Sequence, residues 1–342
     1  MKSFPAFLSG SSLYNIIHLL KKHAVSRKLT YKLPDIFFWP LLMFPLALFE
    51  RIVFYLPISK TTVINPVFII GHWRSGTTYL HYLLSQDKSF YAPTNLDAFV
   101  PEVNILGGAL AKKILHHRLP QTRPMDDVEL HPDLPQEEEF AIANLSPYSF
   151  YHALTFPDHF RKLFNQFVLL RNSSEKKLLR WEKVYTTYLK KIQYKAGKKR
   201  LLLKNPVNTA RIQTLLKLYP DAKFIYLHRD PTEVKHSTFR MFHALIKINT
   251  LQPFDTAQLK KDITTCYTEM MEVYENQRTI LTPENLIELS YQDLLANPAH
   301  VVASIYSQFQ WKGLEANQSN FERFIENQKD YKPHLYTETI VN

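Results

Sequence analysis

Arg74 lies within Pro66-Val67-Phe68-Ile69-Ile70-Gly71-His72-Trp73-Arg74-Ser75-Gly76-Thr77-Thr78-Tyr79-Leu80, a setting suited to a cation that receives an anion. The apolar run reads as a buried strand, Gly71 and Gly76 bound a loop with four residues between them, and a helix opens at Thr77. Backbone N–H groups of such a loop, with the helix N-terminus behind them, hold a phosphate-sized group. The spacing follows G-x-x-x-x-G-K-[ST], but Thr77 stands at the lysine position. A loop that stabilises a transferring γ-phosphoryl group with Mg²⁺ depends on that lysine, so the pattern argues against a kinase or nucleotide hydrolase. Arg74 brings the positive charge from inside the loop instead. A second cation follows the same plan. Phe224-Ile225-Tyr226-Leu227-His228 is an apolar strand ending at Arg229, and Asp230, Pro231 and Glu233 supply an N-cap, a first-turn proline and a capping box. Ser237 follows eight positions after Arg229 (237 − 229), about two helical turns in, where its hydroxyl and the guanidinium can share one phosphate. The alternative for these residues is an Arg229–Asp230 ion pair and an ordinary helical serine.

Together the two stretches resemble the PAPS-dependent sulfotransferases, a bacterial-type group with a P-loop-like fold. In this family a Lys or Arg precedes S-G-T-[TS], and an Arg and a Ser at the separation of Arg229 and Ser237 hold the 3′-phosphate. The resemblance implies donor binding by Arg74, Ser75, Gly76, Thr77, Thr78, Arg229 and Ser237, with 3′-phosphoadenosine 5′-phosphosulfate as co-substrate and no metal. Lys204-Asn205-Pro206 resembles the family's K-x-P element, whose lysine stabilises the sulfuryl group in flight. Ser290-Tyr291-Gln292-Asp293-Leu294 resembles the Y-E-D-L segment, which places Tyr291 near the adenine, although a tyrosine there also simply anchors helix to sheet. The late R-K-G phosphate contact is reduced to Trp311-Lys312-Gly313. Met125-Asp126-Asp127, His131-Pro132 and Pro135-Gln136-Glu137-Glu138-Glu139 resemble the P-x-E-D-E-x-A element. On that resemblance Glu137 is the first candidate for general base, then Glu138, with His131 in reserve. The same triple-Glu run is also what a helix start carries for its dipole.

The elements that must position these groups alternate. Short apolar strands at 66–70, 201–203, 224–227 and 286–289 each lead into an amphipathic helix, such as the one expected over 77–87 and another near 209–218. That order predicts an α/β fold of three layers with a central parallel sheet flanked by helices, and the resemblance implies that it is P-loop-like. Arg74, Lys204, Arg229 and Tyr291 all fall at or just past strand carboxyl ends, where such sheets bind ligands. The expected organisation is an N-terminal apolar helical segment over residues 1–60, then a sulfotransferase domain over 61–342 with a helical acceptor-binding insert at roughly 95–195.

The chain has 342 residues, a formal net charge of +11 and one cysteine, Cys266. One cysteine precludes an intramolecular disulfide and favours a reducing, cytoplasmic setting. The charge suits an anionic donor or surface, and the absence of zinc-finger, RNP or helix-turn-helix signatures argues against nucleic acid. Residues 1–60 carry eight Lys/Arg against Asp35 and Glu50, and Ile36 to Phe49 has no charge. Pro40, Pro45 and Pro57 interrupt this stretch, so it reads either as a packing segment or as a peripheral anchor at the inner face of a membrane. Tyr148, Phe150, Tyr151, His152, Phe156, His159 and Phe160 form an aromatic-rich region whose apolar walls would suit a lipophilic alcohol such as a sterol or glycolipid. A carbohydrate or phenol is the alternative acceptor, and a membrane-bound nucleotide-binding protein the alternative without catalysis.

Overall fold

The computed structural model describes residues 6–123, 125–126 and 128–328; Asp127, part of the acidic element above, lies outside them. In chain order the elements are α1 (Leu13–Lys22), α2 (Leu33–Lys60), β1 (Val67–Ile70), α3 (Thr77–Leu84), β2 (Phe90–Tyr91), α4 (Asn95–Phe99), α5 (Gly108–Arg118), α6 (Glu138–Leu145), α7 (Phe160–Phe167) and α8 (Glu175–Ala196). They continue as β3 (Arg200–Lys204), α9 (Ile212–Leu218), β4 (Lys223–His228), α10 (Pro231–Asn249), α11 (Thr256–Arg278), β5 (Leu286–Ser290), α12 (Tyr291–Ala296), α13 (Pro298–Gln308) and α14 (Leu314–Asn327).

The strands form one sheet in the order β2-β3-β1-β4-β5, with every pairing parallel. The period of two along each strand divides the core. Phe68, Ile70, Leu201, Leu203, Phe224 and Tyr226 pack on one face against α8 and α9, while Val67, Ile69, Leu202, Ile225 and Leu227 pack on the other against α3 and α13. Chain connections leave β1 and β3 in opposite directions, so a crevice opens between their carboxyl ends. Register sets what stands there. Ile69 pairs with Lys204 and His228 with Ser290, so the ends of β3, β1, β4 and β5 present Lys204, the Gly71 loop, Arg229 and Tyr291 side by side.

Local structure departs from the expectations at three places. The helix after the loop stops at Leu84 rather than 87. The stretch before α9 starts as a 3-10 turn, Pro206–Ala210, capped by the Asn205 side chain. Third, α2 is continuous through Pro40, Pro45 and Pro57. Each proline removes one helical hydrogen bond, yet a stripe of inward residues at helical spacing, Ile36, Pro40, Ala47 and Glu50, keeps the helix seated along the body of the protein. Residues of the aromatic-rich region are core: Phe150, Phe156 and Phe160 are buried in a cluster with Ile16, Leu19 and Phe242. Phe150, Phe156 and Phe160 do not line the cavity described below, whereas Tyr151 of the same region does.

Candidate active site

The loop between β1 and α3 is shaped by its glycines. Gly71 has φ +142° and Gly76 φ +94°, conformations that L side chains rarely adopt. A Cβ at Gly71 would lie 2.4 Å from the Leu227 carbonyl oxygen, and one at Gly76 2.3 Å from the Tyr291 ring. Thr209 locks the loop to the strand-end turn after β3: its hydroxyl accepts from the Gly71 N–H at 2.8 Å and donates to the Gly71 carbonyl at 3.1 Å. Ser75 turns inward, its hydroxyl donating to the His72 carbonyl at 2.8 Å. It closes the loop through that hydroxyl.

Arg74 has φ +70° and reaches across to α10, where its Nε donates to Ser237 Oγ at 2.9 Å. Its Nη1 meets Asp126 Oδ2 at 2.5 Å. Asp126 also takes Arg123. Burial works against the charged form of Asp126, but Arg123 and Arg74 hold its carboxyl below the usual range. Arg229 aims one guanidinium nitrogen at the Arg74 carbonyl at 3.5 Å, lies 4.4 Å from the centroid of the Tyr291 ring and pairs with Glu233. Asp230 caps α10 as expected, accepting from the N–H groups of Thr232 and Glu233 at 2.9 Å each. The Glu233 carboxylate, expected in a capping box, instead takes Arg229. The four-residue spacing on one helical face favours that pair. Tyr291 packs on Gly76 and Arg229, so in this structure it braces the loop.

Lys204 is 2% exposed, and its ammonium meets Glu137 Oε1 at 2.5 Å. Burial lowers the pKa of Lys204 from the ordinary lysine range, and Glu137 opposes that effect. The second oxygen of Glu137 accepts from the Tyr151 hydroxyl, which itself accepts from Trp73 Nε1 at 3.0 Å. Trp73, Tyr151, Glu137 and Lys204 therefore form one hydrogen-bonded chain beside the loop. Sequence reasoning gave Trp73 and Arg123 no role of their own and named Asp126 only within the acidic element and Tyr151 only among the aromatics; the Trp73–Tyr151 and Arg74–Asp126 contacts join residues 78 and 52 positions apart, beyond any local motif.

Glu138 faces the other way. Its side chain is fully buried behind α6, where Oε1 accepts from Tyr185 Oη (3.0 Å) and from the Asn208 side-chain amide (2.7 Å). Burial raises its pKa to about 7. Glu139 pairs with the fully buried Arg211 at 2.8 Å. The triple-Glu run thus splits into one residue at the cavity and two in the core, and Glu138 is removed from the candidate bases. His131 is also removed, because its side chain lies at the surface beside Asp133 and His116. His72 and His81, in the loop and on α3, are buried, which lowers their pKa values to about 4 and about 3.

One cavity of about 510 Å³ borders this cluster, without Lys204 or Ser237 in its lining, a size typical of small-molecule sites. At one end stand Arg74, Gly76, Thr77, Thr78, Arg229 and Tyr291, and Glu137 and Tyr151 line it further along. The other end is mostly apolar: Trp39, Met43 and Ala47 of α2, Leu115 of α5, and Met241 and Leu245 of α10, with Glu102 and Arg118 also in the wall. Among the described residues no group of three His, Cys, Asp or Glu could hold a metal ion.

The sulfotransferase family profile matches residues 66–315, from the first strand through the loop, Lys204, Arg229 and Tyr291. The chain belongs to the sulfotransferase family. It is 28% identical over 296 residues to the omega-hydroxy-beta-dihydromenaquinone-9 sulfotransferase Stf3 of Mycobacterium bovis, covering 86% of this chain and 76% of that protein. Stf3 of Mycobacterium tuberculosis matches to the same extent. Among solved structures, sulfotransferase STF9 from Mycobacterium avium superposes with a TM-score of 0.68 at 16% identity, over 82% of this chain and 73% of that one. STF1 from Mycobacterium tuberculosis gives 0.65 at 20% identity, over 81% and 75%. These two likenesses show the fold, a P-loop-like α/β sandwich.

Proposed function

We propose that this sulfotransferase moves a sulfuryl group from 3′-phosphoadenosine 5′-phosphosulfate to the hydroxyl of a lipophilic alcohol, at the cytoplasmic face of a membrane. The observation that carries the reading is one cavity, cationic where Arg74 and Arg229 line it and mostly apolar where α2, α5 and α10 enclose it. The cradle fits the donor: glycines at positive φ leave the loop backbone open to a close-lying anion, and Arg74, Ser237 and Arg229 offer donors to phosphate oxygens. The acceptor class is supported by the apolar walls and by the similarity to Stf3, named for its action on a hydroxylated menaquinone derivative.

In this mechanism the alcohol binds beside Glu137, and the carboxylate accepts the hydroxyl proton as the oxygen attacks sulfur. The new O–S bond forms in line with the breaking bond between sulfur and the bridging phosphate oxygen. Adenosine 3′,5′-bisphosphate leaves. Negative charge grows on the bridging and sulfuryl oxygens, and Lys204 and Arg74 are the preorganised cations that stabilise it. Tyr151 orients Glu137. Residues 61–342 would hold this chemistry, with the 95–195 insert contributing Glu137 and part of the acceptor wall. Thr77 in the lysine position disfavours a kinase-like alternative, and a carbohydrate would leave the apolar walls unmatched. Calorimetry tests the donor: the protein should bind adenosine 3′,5′-bisphosphate without Mg²⁺ and more tightly than ATP with Mg²⁺. The opposite order would contradict the reading.

A further inference from the structure

Helix α2 is apolar all round and 28 residues long, about 42 Å at 1.5 Å per residue. A helix of that composition is ordinarily buried or in lipid, yet its outward side is open: Leu41 is 64% exposed, Phe49 59%, Ile52 66% and Leu56 62%. Leu106 and Leu110, beside it at the start of α5, are exposed as well. The helix is long enough to cross a bilayer, whose hydrocarbon is roughly 30 Å thick, but it is tied along its length. Near its start Asp35 pairs with Arg118 at 2.5 Å, and Arg118 also lies 4.9 Å from the centroid of the Trp39 ring. In the middle the buried Glu50 pairs with Lys191 at 2.6 Å and accepts from the Leu106 N–H at 2.7 Å. Near its end the Ser59 carbonyl accepts from Lys190 at 3.0 Å. Two of these ties are to α8, whose first turns read Glu-Lys-Lys-Leu-Leu-Arg-Trp-Glu-Lys. Such a helix cannot accompany α2 into hydrocarbon.

We propose that α2 is an in-plane anchor. It lies on an anionic bilayer with its outer face among the acyl chains, does not cross, and admits the alcohol sideways into the cavity that its inner face walls. The occupant is argued from charge and continuity. Exposed Arg27 and Lys28 precede the helix, Arg51 stands within it and Lys60 ends it, a basic border suited to anionic head groups. Trp39, Met43 and Ala47, on the other side of the same helix, are cavity wall, so the lipid face and the acceptor site are separated by one helix thickness. Glu50 thus acts as a positioning residue: in a helix otherwise suited to spanning, it fixes the one orientation that keeps the cavity wall in place.

This inference rests on the lipid-alcohol reading for the identity of what enters, but its test does not. The full chain is mixed with vesicles of phosphatidylcholine alone or with phosphatidylglycerol added, and bound protein is measured by flotation. Binding should require the anionic lipid and fall at least about tenfold in the Phe44→Glu/Phe49→Glu double variant, both residues being exposed and outside the cavity. Binding of adenosine 3′,5′-bisphosphate to that variant should be unchanged, which separates a folding defect or a wrong donor from a wrong anchor. Topology is read from Lys28→Cys and Lys60→Cys variants in sealed vesicles with a membrane-impermeant maleimide, since the natural Cys266 is buried. Both positions should label from the side of addition. Protection of one until detergent is added, or vesicle binding undiminished in the double variant, would overturn the proposal.

Discussion

Arg74 and Lys204 are both cations at strand ends, and their surroundings assign them different work. Arg74 shares Ser237 and the Arg229 neighbourhood, so Arg74→Ala and Arg229→Ala should each weaken binding of adenosine 3′,5′-bisphosphate by roughly tenfold or more, the value of a charge-assisted hydrogen bond. Lys204 is buried against Glu137, so Lys204→Ala should cut turnover by about a hundredfold or more while leaving bisphosphate affinity close to wild type. Calorimetry and product assays on the same preparations distinguish the two. Glu138 predicts a pH effect of its own. Its folded pKa, about 7, lies above the unfolded value of 4.5, so the folded state holds the proton where the unfolded chain has lost it, and stability should fall as pH rises from about 4.5 to 7. Glu138→Gln, which keeps an acceptor for Tyr185 and Asn208, should flatten that stretch of a melting-temperature profile. A slope equal to wild type would show that Glu138 does not titrate as described.

At the scale of elements, the loop and α10 are held by backbone conformations that one methyl group can upset. Gly76→Ala would put a Cβ at φ +94° and 2.3 Å from Tyr291, costing about 2 kcal/mol or more of stability and displacing the ring that braces Arg229. Denaturant unfolding should show the loss, and donor binding should weaken with it. The β1 loop and the Asp230 cap were legible in the sequence because their signals are local: glycine spacing, an N-cap and a proline within a few residues. Lys204 and Tyr291 were legible by their positions at strand ends. Glu137 was singled out with Glu138 by resemblance, and only packing separates them, since Glu137 is the extended N-cap and Glu138 the first residue of the helix. The β2 strand, two residues long, was missed because pairing with β3 alone defines it. The continuity of α2 was missed because proline counts against a helix locally, whereas the contacts that hold this one come from α5 and α8.

At the scale of the whole molecule, the N-terminal residues are interlocked with the rest. Ile16 and Leu19 are buried with Phe156 and Phe242, Asn15 donates to the Ala143 carbonyl at 2.6 Å, and the Phe7 N–H donates to Asn249 at 3.0 Å. Ile16→Ala should therefore cost about 2 to 5 kcal/mol, the range for truncating a buried aliphatic residue, measurable as a lower urea midpoint. An effect within about 0.5 kcal/mol, typical of surface changes, would mean the segment packs only loosely. The same contacts join the N-terminal residues to α6 and α10 in one packed body. The most direct measurement supplies the purified full chain with ³⁵S-labelled 3′-phosphoadenosine 5′-phosphosulfate and vesicles made from a total lipid extract, and follows label into the lipid phase. The account predicts labelled lipid carrying an added SO₃, formed by the wild type and lost in Lys204→Ala. Label that stays in the donor with lipid acceptors but passes to a soluble carbohydrate or phenol, or equal product from Lys204→Ala, would contradict it.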